Sequence, residues 1–275
     1  MTTTTDSILS DALLKRCADR AAGYDRDNKF FDEDFKELKE AGYLLACVPK
    51  ELGGLGLNLA QVGAEQRRLA YHSAATALGV NMHFYWTGLA ADVWRSGDMS
   101  TEWMLKAAKD GEIFAAGHGE TGNDLPLLLS STTAEKVDGG YKFTGHKIFG
   151  SLSPVWTFLG MHGMDNSDPA APKIVHAFMP RDTPGYKIVE TWDTVGMRAT
   201  QSQDTILEGA FVPDKYITRV VDAGFAGVDL FVLGIFAWAL MGFANVYYGN
   251  AQHVLDMTIE SVDSKKSMAI SRTMA

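Results

Sequence analysis

Residues 114–124 read FAAGHGETGND, and residues 145–151 read GHKIFGS. Between these segments, two β-favouring runs at residues 132–137 and 141–148 flank Asp138-Gly139-Gly140. Those glycines tolerate the positive φ of a tight turn, so the runs predict a hairpin. A loop of small residues therefore precedes the hairpin, and an aromatic and a hydroxyl residue stand at its far end.

The loop contains a formal match to a dinucleotide-binding fingerprint, because Gly117 to Gly122 fits G-x-G-x-x-G. That fingerprint requires a strand before it and a helix that opens at its last glycine. Here Pro126 follows shortly, and then apolar and β-branched residues lead into the hairpin. A Rossmann site for NAD is therefore disfavoured, and a flexible glycine turn is the plainer alternative.

The rest of the chain divides into helices, β-structure and helices again. Phe31, Phe35 and Leu38 recur on one helical face, and Gly42 then supplies a stop signal. The predicted fold class is α+β, with an N-terminal helical domain, a central antiparallel β-barrel-like domain and the start of a C-terminal helical bundle. The predicted bounds of these domains are residues 1–113, 114–218 and 219–275.

Further strands are predicted at residues 173–179, 186–191 and 205–212. The first two are expected to pair with each other around Thr183-Pro184-Gly185, a turn sequence. No helical period between these strands is long enough for parallel βαβ units. The β-rich block is therefore expected to be antiparallel.

Composition excludes several classes of protein. The formal net charge of −9 disfavours binding to nucleic acid or an anionic membrane. The two cysteines, Cys17 and Cys47, lie far apart, so neither a disulfide framework nor a metal site is expected, and a cytoplasmic location fits. Residues 230–244 are apolar but shorter than the ~20 residues of a membrane span. We expect a helix buried in a core or a subunit interface there.

Taken in order, the two quoted segments resemble the flavin signatures of the FAD-dependent acyl-CoA dehydrogenase family. The family's first loop usually ends Gly-Ser-Asp, where this chain has Gly122-Asn123-Asp124. Its second signature is typically Gly-x-Lys-x-Trp-x-Thr, which residues 145–151 match with Phe149 in the place of the Trp and Ser151 in the place of the Thr. Residues 48–56, 196–200, 211–213 and 251–256 are also similar to family patterns.

The resemblance implies a set of flavin contacts. Phe149 would supply an aromatic face, Ser151 would lie near flavin N5, and main-chain groups of Ala116 and Gly117 would border the ring. Asn123 would lie near the cofactor phosphate or the substrate thioester. The cofactor-binding residues implied are Phe114, Ala116, Gly117, Phe149, Gly150, Ser151 and Lys265.

Several positions depart from the family pattern. His118 replaces the usual Glu of the first loop, and residues 236–245 lack the ionisable side chain that the family places there. Glu120 and Asp124 are interpreted as loop-shaping residues. No catalytic base is therefore predicted within residues 1–275, the catalytic residue stays unknown, and the natural chain is expected to continue.

The function implied by the resemblance is α,β-dehydrogenation of an acyl-CoA thioester with FAD as cofactor. Electrons would pass to an electron-transfer flavoprotein, and the protein would form a homo- or hetero-oligomer. Two alternatives stay open. One is a flavin monooxygenase or acyl-CoA oxidase on the same fold, and the other is a non-catalytic subunit of a hetero-oligomeric dehydrogenase.

Overall fold

A computed structural model describes residues 7–263, 265 and 267–269 of the chain. Side-chain caps begin two of its helices: the Ser10 hydroxyl accepts from the Leu13 N–H, and Asn58 forms a capping box with Gln61. The α-helices are α1 Asp11–Asp27, α2 Asp32–Glu40, α3 Leu59–His72, α4 Ala74–Arg95, α5 Glu102–Lys109 and α6 Leu230–Asp263.

Eight strands form one mixed sheet in the order β6-β7-β3-β2-β4-β5-β8, with β1 beside β4. Helices on either side of this β-block confirm the α+β class. The strands are β1 Phe114–Gly117, β2 Thr133–Val137, β3 Gly140–Gly150, β4 Phe158–Asp165, β5 Lys173–Pro180, β6 Tyr186–Val189, β7 Gln203–Pro213 and β8 Ile217–Asp222.

The predicted hairpin is confirmed, because β2 and β3 pair across Val137 and Gly140. The sheet differs from the expectation in being open, with β6 and β8 at the ends of the strand order. It also contains parallel pairings of β4 with β1 and, at one position, with β2. The short β1 can lie parallel to β4 because the hairpin and its connections span the distance between them.

The predicted pairing of residues 173–179 with 186–191 is wrong. Strand β5 lies between β4 and β8, whereas β6 pairs with β7. The residues of β5 are buried at almost every position, as expected for an inner strand of a sheet that is covered on both faces. The turn instead places β6 beside β7, and the Glu208 N–H of β7 donates to the Gly185 carbonyl in the turn at 2.7 Å.

Helix α4 is buried along most of its length and joins the helices to the sheet. The Trp86 indole N–H donates to the Ala115 carbonyl of β1 at 2.9 Å. The same indole lies over Gly160 of β4 so closely that an added Cβ would stand 2.4 Å from the ring. A glycine is therefore required at this point for the helix to reach the sheet.

Helix α6 is buried on one face only. Phe231, Ile235 and Trp238 face the protein, whereas Leu240 and Met241 are exposed. By length and composition alone this helix could cross a membrane, and 33% of its most apolar window is buried. The predicted burial of residues 230–244 therefore holds for one face within the described chain.

Candidate functional site

Two adjoining cavities lie between the β-block, α4 and α6. They share Met82, Phe149 and Phe243 as walls. The larger cavity, about 420 Å³, also contacts Ser151 and Trp192. The smaller one, about 260 Å³ and here called the apolar cavity, lies against the loop that follows β1. Together they have the size and mainly apolar lining of a small-molecule site.

Phe149 stands at the junction of the two cavities. Its side chain is 61% exposed, which is unusual for a large aromatic group beside a core, and Trp192 lies edge-on at 6.0 Å. Its φ of 59° is in the left-handed region, as is that of Leu152 at 66°. Such strained backbone in non-glycine residues concentrates at binding sites. The ring is therefore held out of the core and available to a ligand.

A chain of hydroxyl groups ends at Ser151. The Thr200 hydroxyl donates to the Met197 carbonyl at 2.8 Å and lies 2.7 Å from the Ser202 hydroxyl, which lies 2.7 Å from that of Ser151. Each hydroxyl has one proton, so Ser202 donates to Thr200 and Ser151 donates to Ser202. Ser151 therefore presents lone pairs to the larger cavity.

The loop after β1 is anchored by the buried carboxylate of Glu120. Its closest partner is the Lys147 ammonium at 2.6 Å, which also donates to the His162 carbonyl. Burial alone would raise the pKa of Glu120, but the Lys147 charge and the hydrogen bonds hold it below its usual range. Burial lowers the pKa of Lys147 to about 8. The other donors to Glu120 are the Ser130 hydroxyl, the Ser131 and Thr132 backbone N–H groups and the Asn123 amide.

Gly119 brings the loop against the end of β3. Its carbonyl accepts from the Ile148 N–H at 2.9 Å, and a Cβ at Gly119 would stand 2.8 Å from the Ile148 carbonyl oxygen. Any larger residue would push the loop away from Phe149. The two quoted segments therefore meet, as their resemblance to a two-part site implied.

Two side chains are polar in the otherwise apolar wall of the smaller cavity. They are Tyr85 of α4 and His118 of the loop. The Tyr85 hydroxyl and the His118 Nε2 are buried and have no hydrogen-bond partner within the described residues. A buried polar atom without a hydrogen bond costs folding free energy unless a bound molecule supplies the partner. The apolar cavity therefore has one polar position at which a ligand could form hydrogen bonds.

The predicted site residues take different positions. Ala116 lines the apolar cavity, Phe149 lies at the junction and Ser151 lines the larger cavity. Gly117 packs against Leu159, and a Cβ at Gly150 would stand 2.7 Å from the Gln203 carbonyl oxygen. Contacts of these residues with a cofactor stay predictions.

Three other predicted residues line neither cavity. The Phe114 ring is fully buried and stacks on Phe158 at 5.4 Å, so only its main chain is available. The Asn123 amide is used within the loop, by Glu120 and the Leu129 carbonyl. Lys265 is exposed beyond the end of α6 and lines neither cavity.

The sequence reasoning missed Tyr85 and His162. Tyr85 lies in a helix buried on all sides, so its periodicity gave no sign of a cavity. His162 is on a strand that was not predicted, and it contacts His118, with 3.1 Å between their Nδ1 atoms. Within the part of the chain that is described, no group of three or more His, Cys, Asp or Glu residues could hold a metal ion.

Comparison with known proteins agrees with this arrangement. The family model for the acyl-CoA dehydrogenase N-terminal domain matches residues 8–109. Benzylmalonyl-CoA dehydrogenase of Aromatoleum aromaticum is 27% identical over 205 residues, covering 74% of this chain and 53% of the relative. The chain belongs to the acyl-CoA dehydrogenase family. L-evernosamine nitrososynthase of Micromonospora sp. is also similar, with 28% identity over 239 residues, covering 82% of this chain and 56% of the relative.

A solved structure of KijD3 with FMN and dTDP-3-amino-2,3,6-trideoxy-4-keto-3-methyl-D-glucose has a TM-score of 0.81 and 28% identity. The match covers 93% of this chain and 63% of KijD3. This acyl-CoA dehydrogenase family chain thus spans between half and two thirds of the length of these proteins. An exposed aromatic ring, a close-packed glycine loop and a directed hydroxyl chain fit the flat, hydrogen-bonding ring of a flavin.

Proposed function

We propose that this chain carries the flavin-binding part of a flavin-dependent monooxygenase. The supporting observation is the similarity to L-evernosamine nitrososynthase and to KijD3 in complex with FMN, and no carboxylate lines the apolar cavity beside Phe149 among the residues described. Abstraction of an α-proton from a thioester needs a positioned base, which in this family is a carboxylate. Glu120, the nearest loop carboxylate, is bound by Lys147. An oxygen-inserting reaction on a substrate heteroatom does not need that base.

The residues that line the two cavities have separate roles in this proposal. Phe149 packs against the flavin ring, Ser151 accepts a hydrogen bond, and the main chain of residues 116–119 borders the ring edge. A reduced flavin would supply the electrons that activate oxygen. The apolar walls exclude water from the reacting groups. The cofactor proposed from the resemblance is FAD, and the FMN in the KijD3 complex makes FMN the alternative.

Acyl-CoA dehydrogenation, with transfer of electrons to an electron-transfer flavoprotein, is the second candidate. It is supported by the two flavin signatures and by the similarity to benzylmalonyl-CoA dehydrogenase. In this case the base would come from outside residues 1–275, as the sequence predicted. A non-catalytic subunit is the third reading, and it predicts flavin binding without turnover.

One experiment separates these functions. Full-length protein loaded with FAD or FMN is mixed without oxygen with butyryl-CoA or benzylmalonyl-CoA, and the absorbance of oxidised flavin is followed. We expect no bleaching. The flavin is then reduced with dithionite, and the reduced enzyme is given isotopically labelled oxygen and indole, an apolar molecule with one N–H group. Label in the product supports the monooxygenase, whereas bleaching by an acyl-CoA overturns it in favour of the dehydrogenase.

Assembly is part of the proposal. The exposed face of α6 carries Leu233, Leu240 and Met241, which are poor partners for water. We infer a homo- or hetero-oligomer located in the cytoplasm. Light scattering on the full-length protein should give a mass above that of one chain, and a stable monomer would contradict this inference.

A further inference from the structure

Three buried histidines follow one another across adjacent strands. His118 comes directly after β1, His162 is on β4, and His176 is its cross-strand partner on β5. Their rings are 5.2 Å and 6.0 Å apart between centroids. Of the three, His118 alone lines the apolar cavity. The row therefore connects the cavity wall to the interior of the sheet.

Hydrogen bonds define the tautomers of the first two histidines. His162 Nε2 lies 3.0 Å from the Leu129 carbonyl oxygen, which only accepts, so the proton is on that nitrogen. The Leu127 N–H also lies 3.3 Å from this nitrogen and would favour the opposite tautomer, but the contact with the Leu129 oxygen is the shorter of the two and decides the assignment. His162 Nδ1 then accepts a hydrogen bond from the His118 Nδ1–H, with 3.1 Å between the two nitrogens. His118 Nε2 is left with a free lone pair.

This arrangement orients the imidazole as a hydrogen-bond acceptor, because a second group fixes its tautomer. The Tyr85 ring lies 6.2 Å from that of His118, and its hydroxyl is the other partnerless polar atom of the wall. We propose that His118 Nε2 accepts a hydrogen bond from the protic group of a mainly apolar substrate, and that the Tyr85 hydroxyl hydrogen-bonds the same group.

The proposal rests on the proposed function and names its substrate class. The substrate is an apolar ring or chain that carries one N–H or O–H group, because the wall offers two polar atoms and otherwise apolar side chains. The substrate N–H or O–H group donates a hydrogen bond to His118 Nε2 and keeps its proton. The His118 Nδ1–H continues to donate to His162.

The charge around His118 favours its neutral form before substrate binds. Burial lowers the pKa of His118 well below its usual range, and His176 and Lys147 lower it further, while Glu120 acts in the opposite direction. His162 and Tyr85 also face the ring. The facing residues of α6, among them Ile235 and Phe236, carry no charge. His118 is therefore neutral at neutral pH and can offer Nε2 as a hydrogen-bond acceptor.

The test uses 4-nitrophenol, an aromatic molecule with one acidic hydroxyl, and the full-length flavin-loaded protein. Its absorption band moves to longer wavelength when the hydroxyl donates to a nitrogen base. We expect a bound ligand with a shifted band, and an affinity that falls as acid protonates His118. His118→Phe should weaken binding about tenfold and remove the shift, since one buried hydrogen bond is worth ~1.4 kcal/mol. Tyr85→Phe should weaken binding and keep the shift.

His176→Phe is the matched control, because it changes a buried histidine of the same row that does not line the cavity. It should leave affinity and band unchanged. The inference is overturned if His118→Phe binds 4-nitrophenol with the wild-type band and pH dependence. If that variant does not fold, an unshifted band in the wild-type complex overturns it equally. Failure of the monooxygenase would instead appear as absent oxygen incorporation with these binding results intact.

Discussion

The Lys147 ammonium lies 2.6 Å from the Glu120 carboxylate, and both side chains are almost completely buried. This ion pair joins β3 to the loop after β1, which are the two segments that form the cleft. Because water cannot replace either partner, the pair and its hydrogen bonds must form together. The position of the loop is therefore set by the protein itself.

Removing one partner should be strongly destabilising. Lys147→Met leaves Glu120 buried without a counter-charge, and we expect a loss of about 3–5 kcal/mol in the free energy of unfolding. Lys136→Met is the control, since Lys136 pairs with Asp214 on the surface and should cost less than ~1 kcal/mol. Urea denaturation of both variants measures the difference, and equal losses would contradict the argument.

Acid should destabilise the fold through its buried histidines. Burial lowers the pKa of His83 to about 4 and that of His176 to about 3, from an ordinary value of 6.5. Below 6.5 the unfolded chain binds protons that the folded chain does not, so stability falls as pH falls, by up to ~1.4 kcal/mol per pH unit for each histidine. Denaturation at a series of pH values should show this slope. His176→Phe should reduce it, and an unchanged slope would argue against this cause.

Phe149 should contribute to flavin affinity and little to stability. Its ring is 61% exposed, so Phe149→Ala removes few core contacts. We expect flavin to bind about tenfold more weakly, in line with ~1.4 kcal/mol for an aromatic contact, at an unchanged melting temperature. Phe225→Ala, which shortens a side chain that is 76% exposed outside both cavities, is the control. Fluorescence titration would expose the prediction as wrong if the two variants bind alike.

The hydroxyl chain should affect the reduction potential of bound flavin. In Ser202→Ala the Ser151 proton loses its acceptor and becomes free to donate to oxidised flavin, which stabilises that form. With ~1 kcal/mol for one hydrogen bond, the potential should fall by about 20 mV. Ser153→Ala is the control, because the Ser153 hydroxyl donates to the Gly150 carbonyl and takes no part in the row of hydroxyl groups that ends at Ser151. Spectroelectrochemistry measures both, and a rise in potential would contradict the assigned direction.

Local signals in the sequence predicted a large part of the fold. The hairpin was read from its turn glycines, and the strand at residues 205–212 corresponds to β7. Strand β4 was missed because it contains Gly160, His162 and Gly163, which have weak strand preference. Burial under α4, a long-range contact, stabilises this segment as a strand. The predicted pairing of β5 with β6 was wrong because strands that are neighbours in sequence need not be neighbours in the sheet.

The site was predicted less completely than the fold. The motif placed Phe149, Ser151 and Ala116 around the cleft, and Glu120 shapes the loop as expected. The Tyr85 and His118 pair depends on how a buried helix crosses a loop. No spacing along the chain encodes that crossing.

The parallel contact of β1 with β4 has a consequence for the order of folding. The β2–β3 hairpin needs only neighbouring residues, whereas β1 must wait for a strand that follows the hairpin. The two cavities are therefore assembled late, after the hairpin has formed, and a bound cofactor cannot start the folding of the chain. Pulse-labelled hydrogen exchange during refolding should show protected amides in β2 and β3 before those of β1.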